Sequence, residues 1–254
     1  MLDEIVNDVR KRLPALQAFE ADLLVAAGLV PPARDFRAAL AAPGMSIISE
    51  FKRASPSRGI MNADMDPARQ ATLYESGGAA ALSVLTEPDH FDGSAEDLEA
   101  ARAAVAIPVL RKDFTLHPLH IWEAKVMGAD AVLLIAAILS DEVLARLLLV
   151  ADSAGLAAIV EVHDLDEAHR AVAAGANIVG VNNRDLTTFV VDLATAERLA
   201  PVLEEVAVTV AESGILGPSD AARMRDVGYD ALLVGEYLVL AEDPAQAIAG
   251  LRMP

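Results

Sequence analysis

A chain of 254 residues with 54% hydrophobic content can bury a large core, as one large domain or two small ones. Its formal charge of −18 argues against a broad nucleic-acid face or an anionic-membrane binder, and an anionic ligand would need a locally basic pocket. Zero cysteines exclude disulfides, thiolate metal sites and cysteine nucleophiles, which suits a reducing cytoplasm.

The N-terminal stretch MLDEIVNDVRKRL mixes acids and bases without an apolar h-region, so it does not read as a signal peptide. It starts the first of two predicted helices, Leu2–Leu13 and Ala15–Ala27. A proline-marked loop follows, and residues 1–44 together form a helical extension that covers the rest of the fold. Short apolar runs then predict eight strands, near Ser46–Ser49, Ala81–Val84, Val109–Arg111, Ala131–Ile135, Ala157–Glu161, Ile178–Val181, Val206–Ala211 and Ala231–Val234. Most are continuously apolar rather than alternating, as parallel strands covered on both faces require. The longest run, AVLLIAAIL (131–139), falls far short of the ~20 residues that span a bilayer.

Helix signals fill the gaps. Asp66 before Pro67 marks a helix start, and Gly77-Gly78 its end. Asp164 and Glu167 have capping-box spacing; Leu165, Ala168 and Val172 share a face, and Gly175 closes that helix. Pro218 opens another that Gly228 ends. Gly128-Ala129-Asp130, Gly175-Ala176-Asn177 and Gly228-Tyr229-Asp230 each lead into the next strand, a weak repeat of the βα unit. Eight such units over residues 45–254 predict an α/β fold, a single (β/α)8 TIM-barrel domain with an N-terminal helical extension. A doubly wound open sheet is the competitor, but the chain has neither a GxGxxG nor a GxxxxGK[ST] loop.

Lysine usage points to the chemistry. Only Lys11, Lys52, Lys112 and Lys125 occur among the 20 basic residues, and Lys52 and Lys112 follow predicted strands. An ammonium can act as a proton donor and its pKa falls on burial, whereas a guanidinium stays charged. Functional side chains of such a barrel collect at the carboxyl ends of its strands. Those ends carry Glu50 and Lys52, Lys112, Glu161, Asn182 with Arg184, Glu212-Ser213-Gly214, and Gly235. Three carboxylates and three cations around one mouth push pKa values apart and can create a donor and an acceptor together. A ring of structural ion pairs is the plainer alternative. Glycines near Glu212-Ser213-Gly214-Ile215 and Val234-Gly235-Glu236 are compatible with phosphate after strands seven and eight, or merely with tight turns. His163 has no partners at metal-ligand spacing, Trp122 reads as core, and Ser55 and Ser57 flank Pro56 in a turn.

As a set, SEFKRASPSRG (49–59), SVLTEPDHFDGS (83–94), PVLRKDF (108–114), GADAVLLIAAILS (128–140), VEVHD (160–164), GVNNRDL (180–186), ESGI (212–215) and LLVGE (232–236) resemble the indole-3-glycerol phosphate synthase family. The resemblance spans about residues 36 to 250. It implies closure of the pyrrole ring of 1-(2-carboxyphenylamino)-1-deoxyribulose 5-phosphate, with loss of carbon dioxide and water, and no cofactor or metal. By that resemblance Lys112 protonates the substrate carbonyl and Glu161 is the general base. Lys52 contacts the substrate carboxylate and donates a second proton, although the two lysines could exchange steps. Glu50, Asn182 and Glu212 orient the lysines and substrate. Ser55, Phe91, Phe114, Arg184, Leu186 and Ser213 match the binding pocket, and Gly214, Gly235 and Glu236 the phosphate end. The expected partner is this anionic small molecule, with no nucleic acid or membrane, for a cytoplasmic monomer or weak homodimer.

His120 and Tyr237 depart from the family pattern, Tyr237 near the phosphate end, and the segment before residue 36 matches weakly. Two rival readings fit the sequence less well. Phosphoribosylanthranilate isomerase, another phosphate-binding barrel, is known to use a catalytic cysteine, which this chain lacks. A barrel that binds the ligand without turnover would be expected to have lost a charged catalytic residue, yet Lys52, Lys112 and Glu161 are all present.

Overall fold

The structure is a computed structural model that describes residues 1–56 and 59–253. The expected Ser57 turn lies outside the described residues. Eight parallel strands close into a barrel: β1 (Ser46–Phe51), β2 (Ala81–Leu85), β3 (Val109–Lys112), β4 (Ala131–Ile135), β5 (Ala157–Val162), β6 (Ile178–Asn182), β7 (Val208–Glu212) and β8 (Ala231–Val234). β1 completes the ring by pairing with both β8 and β2, Ser46 beside Ala231 and Ile48 beside Ala81. A short antiparallel ribbon, Ala54–Ser55 with Gly59–Ile60, rises from the β1 loop.

The continuous apolar runs have the expected cause, because alternate residues serve two cores. Ile48, Leu110, Leu133, Ile159 and Val210 form one buried cluster inside the barrel. Ile47, Leu82, Val132, Val160, Val179 and Leu232 face the other way and pack with the helices. Phe36 and Leu40, both buried, join the interior cluster from a short helix, Phe36–Leu40, capped by Asp35. This helix was expected as loop, since five residues are too few to show a period.

The recurrent Gly-x-Asp phrase acquires a physical role at the amino ends of the strands. Buried Asp130 accepts the backbone N–H groups of Val109 and Arg34, each at 2.8 Å, and the Arg102 guanidinium at 3.0 Å. Asp230 likewise accepts the Thr209 backbone N–H at 2.8 Å and its hydroxyl at 3.0 Å. Each carboxylate thereby ties one strand to its neighbour.

Boundaries moved where packing outweighed local signals. The first helix runs Leu2–Ala18, through Pro14, and the second spans Glu20–Leu29. Proline removes one helix hydrogen bond, and here the break falls instead at Phe19. Asp66 and Asp164 cap their helices as expected, accepting the N–H groups of Arg69 and Glu167. On the helix Leu165–Ala173, however, Ala168 and Ala171 are the buried pair, while Leu165 and Val172 are exposed. The small alanines let this helix lie close against the barrel. Trp122 packs against the outer core, as anticipated.

Candidate active site

A cavity of about 820 Å³ opens at the carboxyl ends of the strands. Period two brings a charged layer together beneath it. Glu50 and Lys52 lie on the face of Ile48, Lys112 on that of Leu110, Glu161 on that of Ile159, and Glu212 on that of Val210. The apolar interior therefore ends in a charged layer.

Lys112 sits at its centre. Its Nζ donates to Glu161 Oε2 at 2.9 Å and lies 3.6 Å from Glu212 Oε2. Burial alone would lower the lysine pKa, as expected from sequence, but Glu161, Glu212 and Glu50 outweigh it and raise the value. The same contest runs in Glu161: burial favours the neutral acid, yet Lys112 and His163 hold it ionised far below the usual carboxylate range. Glu212 goes the other way. Burial dominates, reinforced by the neighbouring Glu161 and Glu50 charges, and its pKa rises despite Lys112. Two buried glutamates thus differ in affinity for a proton. Lys52 pairs with Glu50 beside them.

Glu161 is held on both oxygens. Asn182 Nδ2 donates to Oε1 at 3.2 Å, and the amide orientation follows because Asn182 Oδ1 must accept the Arg184 N–H at 3.0 Å. Two interior glycines make room for the other carboxylates. A Cβ on Gly180 would lie 2.1 Å from Glu212 Oε1, and one on Gly235 would lie 2.4 Å from Glu50 Oε1. Gly235 was expected at the phosphate end; it does line the cavity, but it also admits Glu50.

Around this floor the cavity wall contains Ser55, Phe91, Phe114, Arg184, Leu186, Ser213, Gly214 and Glu236, as expected, together with Glu50, Lys52, Lys112, Asn182, Glu212 and Gly235. Phe91 and Phe114 face each other at 6.3 Å between ring centroids, tilted by 41°. Ser213 is in the left-handed region at φ 62, uncommon for a residue with a side chain, and Gly214 follows at φ 83. That turn brings the chain sharply around after β7.

One expected residue differs in position. Glu161 does not line the open cavity; it lies behind Lys112 and Asn182, 2% exposed, and the Lys112 ammonium covers it. The Lys112 ammonium thus stands between Glu161 and the cavity. Tyr237 also stays out of the cavity and packs into the outer core. His120 is buried on its helix, its Nδ1 accepting the Leu116 N–H at 3.2 Å.

Other contributors were not anticipated. Met1, Leu2 and Ile5 line the mouth, so the first helix covers the site. Arg12 anchors that helix through Glu87 at 3.1 Å and through Asp89, next to the Phe91 turn. Arg223 adds a cation to the wall. Gly180, a lone glycine inside an apolar strand, carried the usual sign of a close approach. Among the described residues no group of three or more histidines, aspartates and glutamates is arranged to hold a metal ion. No helix among them is long and apolar enough to cross a membrane.

Comparison with known proteins identifies the family. The family model for indole-3-glycerol phosphate synthase matches residues 2–251, and so includes the N-terminal segment before residue 36. The indole-3-glycerol phosphate synthase of Streptomyces griseus is 49% identical over 253 residues, 99% of this chain and 94% of that protein. The Mycolicibacterium smegmatis enzyme of the same name is 47% identical, over 99% of this chain and 93% of its own. Among solved structures, thiamine phosphate pyrophosphorylase from Pyrococcus furiosus superposes with a TM-score of 0.60 at 19% identity, covering 86% of this chain and 96% of that one. That likeness concerns the fold alone.

Proposed function

The chain belongs to the indole-3-glycerol phosphate synthase family, and on that premise we propose that it converts 1-(2-carboxyphenylamino)-1-deoxyribulose 5-phosphate to indole-3-glycerol phosphate. The observation that carries this reading is the Lys112 ammonium, held against Glu161 and Glu212 on the floor of a cavity with Lys52, Arg184 and two phenylalanines in its wall.

In the first step the ring carbon bearing the carboxylate attacks the ketone, and Lys112 gives its proton to the ketone oxygen. Three carboxylates hold that proton in the resting site; as the ammonium leaves them for the substrate, its acidity rises. The bond to the carboxylate then breaks, carbon dioxide departs, and the electron pair restores the aromatic ring. In the last step Glu161, uncovered by the movement of Lys112, takes a proton from the carbon beside nitrogen. The former ketone oxygen leaves as water with a proton from Lys52. Asn182 keeps Glu161 oriented throughout, and Glu50 positions Lys52.

The substrate carries a carboxylate and a phosphate, which calls for Lys52, Lys112 and Arg184 inside a strongly acidic protein. Phe91 and Phe114 flank the anthranilate ring, aromatic contact contributing about 1 kcal/mol beyond burial. Ser55, Leu186 and Ser213 complete the pocket, and Gly214, Gly235 and Glu236 border the phosphate. The enzyme works as a monomer or weak homodimer without a cofactor. Purified protein mixed with the carboxyphenylamino-deoxyribulose phosphate should develop indole fluorescence under multiple-turnover conditions. A folded preparation that binds the substrate and yields none would refute the reading.

A further inference from the structure

His163 stands two residues beyond Glu161, so the same period that aims Glu161 inward brings the imidazole alongside it. Its Nε2 lies 3.3 Å from Glu161 Oε1. That contact is close enough for an ion pair but not aligned as a hydrogen bond, and buried Nε2 has no other partner among the described residues. The opposite side of the ring is fixed. Nδ1 is 3.0 Å from Glu167 Oε2, and the same oxygen accepts the His163 backbone N–H at 2.8 Å. Glu167 is secured in turn, since its own N–H donates to Asp164 Oδ1 at 2.9 Å. The helix-start pattern Asp164…Glu167 therefore clamps an imidazole as well as starting a helix.

We propose that His163 is a positioning residue for the proposed base: anchored by Glu167, it holds Glu161 Oε1 in place when Lys112 leaves Oε2 for the substrate. The inference rests on the assignment of Glu161 as base. His163 is absent from the cavity wall, so it acts through Glu161 and not on the substrate. Without it, only Asn182 would restrain a carboxylate that has just lost its ammonium partner. The charged groups around the imidazole are Glu161 on its own strand, Glu167 on the next helix, Asp185 in the loop after β6, and Lys112 beyond Glu161. Burial opposes a charge on the ring, yet the contacts with Glu161 and Glu167 prevail and push the His163 pKa up to about 10. The imidazolium thus persists at neutral pH and favours ionised Glu161.

Four measurements test this, the kinetic ones referred to wild-type turnover. His163→Phe removes both N–H groups and should lower kcat by about 10- to 100-fold while KM changes less than about threefold. His163→Gln restores a donor without the charge and should recover most of that kcat. In both variants the acid limb of the kcat profile should move to higher pH by about one unit, because Glu161 loses a neighbouring cation. Nitrogen-15 spectra of the wild-type histidine ring should show both His163 nitrogens protonated at pH 8, an observation independent of how the variants fold. A neutral His163 at that pH, or a kcat loss that leaves the acid limb unmoved and is not rescued by Gln, overturns the proposal. Absence of turnover in the wild type itself would indict the proposed function instead.

Discussion

The two ends of this barrel bury carboxylates in opposite ways. At the amino end Asp130 is surrounded by donors, two backbone N–H groups and a guanidinium, and its position is fully specified. At the carboxyl end Glu212 is equally buried, but its Oε1 has no hydrogen-bond partner among the described residues, and burial, reinforced by like charges, raises its pKa. A satisfied buried acid serves the fold, whereas an unsatisfied one stores a readiness to change protonation. The apolar layer between them, with Phe36 and Leu40 below, keeps the two ends separate.

Substitutions should divide along that line. The largest effect is expected for Glu161→Gln, which keeps size but removes basicity and sets an amide donor against Lys112 or Asn182: kcat should fall by about 100-fold or more in the fluorescence assay. Gly180→Ala should come next. Its methyl group would displace the Glu212 carboxylate, and we expect kcat to drop about tenfold with a stability loss of about 1–3 kcal/mol by urea unfolding. Asp130→Asn should reverse the pattern. It replaces one acceptor oxygen by a donor facing backbone N–H groups, costing about 2 kcal/mol in the same unfolding experiment while kcat stays within twofold. The smallest change, Asp66→Ala, removes a helix cap worth about 1 kcal/mol and should leave catalysis untouched.

Titration separates the groups as well. The folded-state pKa of His163 exceeds the unfolded value of 6.5, so its contribution is complete below that pH and disappears as pH rises towards about 10. Glu161, depressed when folded, contributes above 4.5 and loses its effect as pH falls through its folded value. Urea midpoints of wild type should therefore fall from pH 6.5 to 10 more steeply than those of His163→Gln.

Much of this was legible in sequence because both the barrel and its rim follow from alternation. Apolar runs and Gly-x-Asp turns located all eight strands, and the last inward position of five of them carried Glu50, Lys112, Glu161, Asn182 or Glu212. Properties set by distant residues were less legible. Lys112 reads as a buried lysine with a lowered pKa until three carboxylates from other strands surround it. Gly180 signals a close approach without showing that Glu212 is what fills the space of its missing side chain. His163 reads as a structural or surface histidine at the same strand end as Glu161, and its link to Glu167 is hidden because Glu167 already has a sufficient role in capping. The short Phe36–Leu40 plug and the covering by Met1, Leu2 and Ile5 arise from tertiary packing, for which the local pattern carries no signal.

The claim that an ammonium released from its carboxylates drives ring closure is tested most directly by Lys112→Ala, with substrate affinity and single-turnover rate measured on the same sample. The account predicts a rate at least about 100-fold below wild type, with substrate still bound, and no recovery in Lys112→Arg because a guanidinium gives up its proton poorly. Bound substrate turning over at the wild-type rate in Lys112→Ala would contradict it.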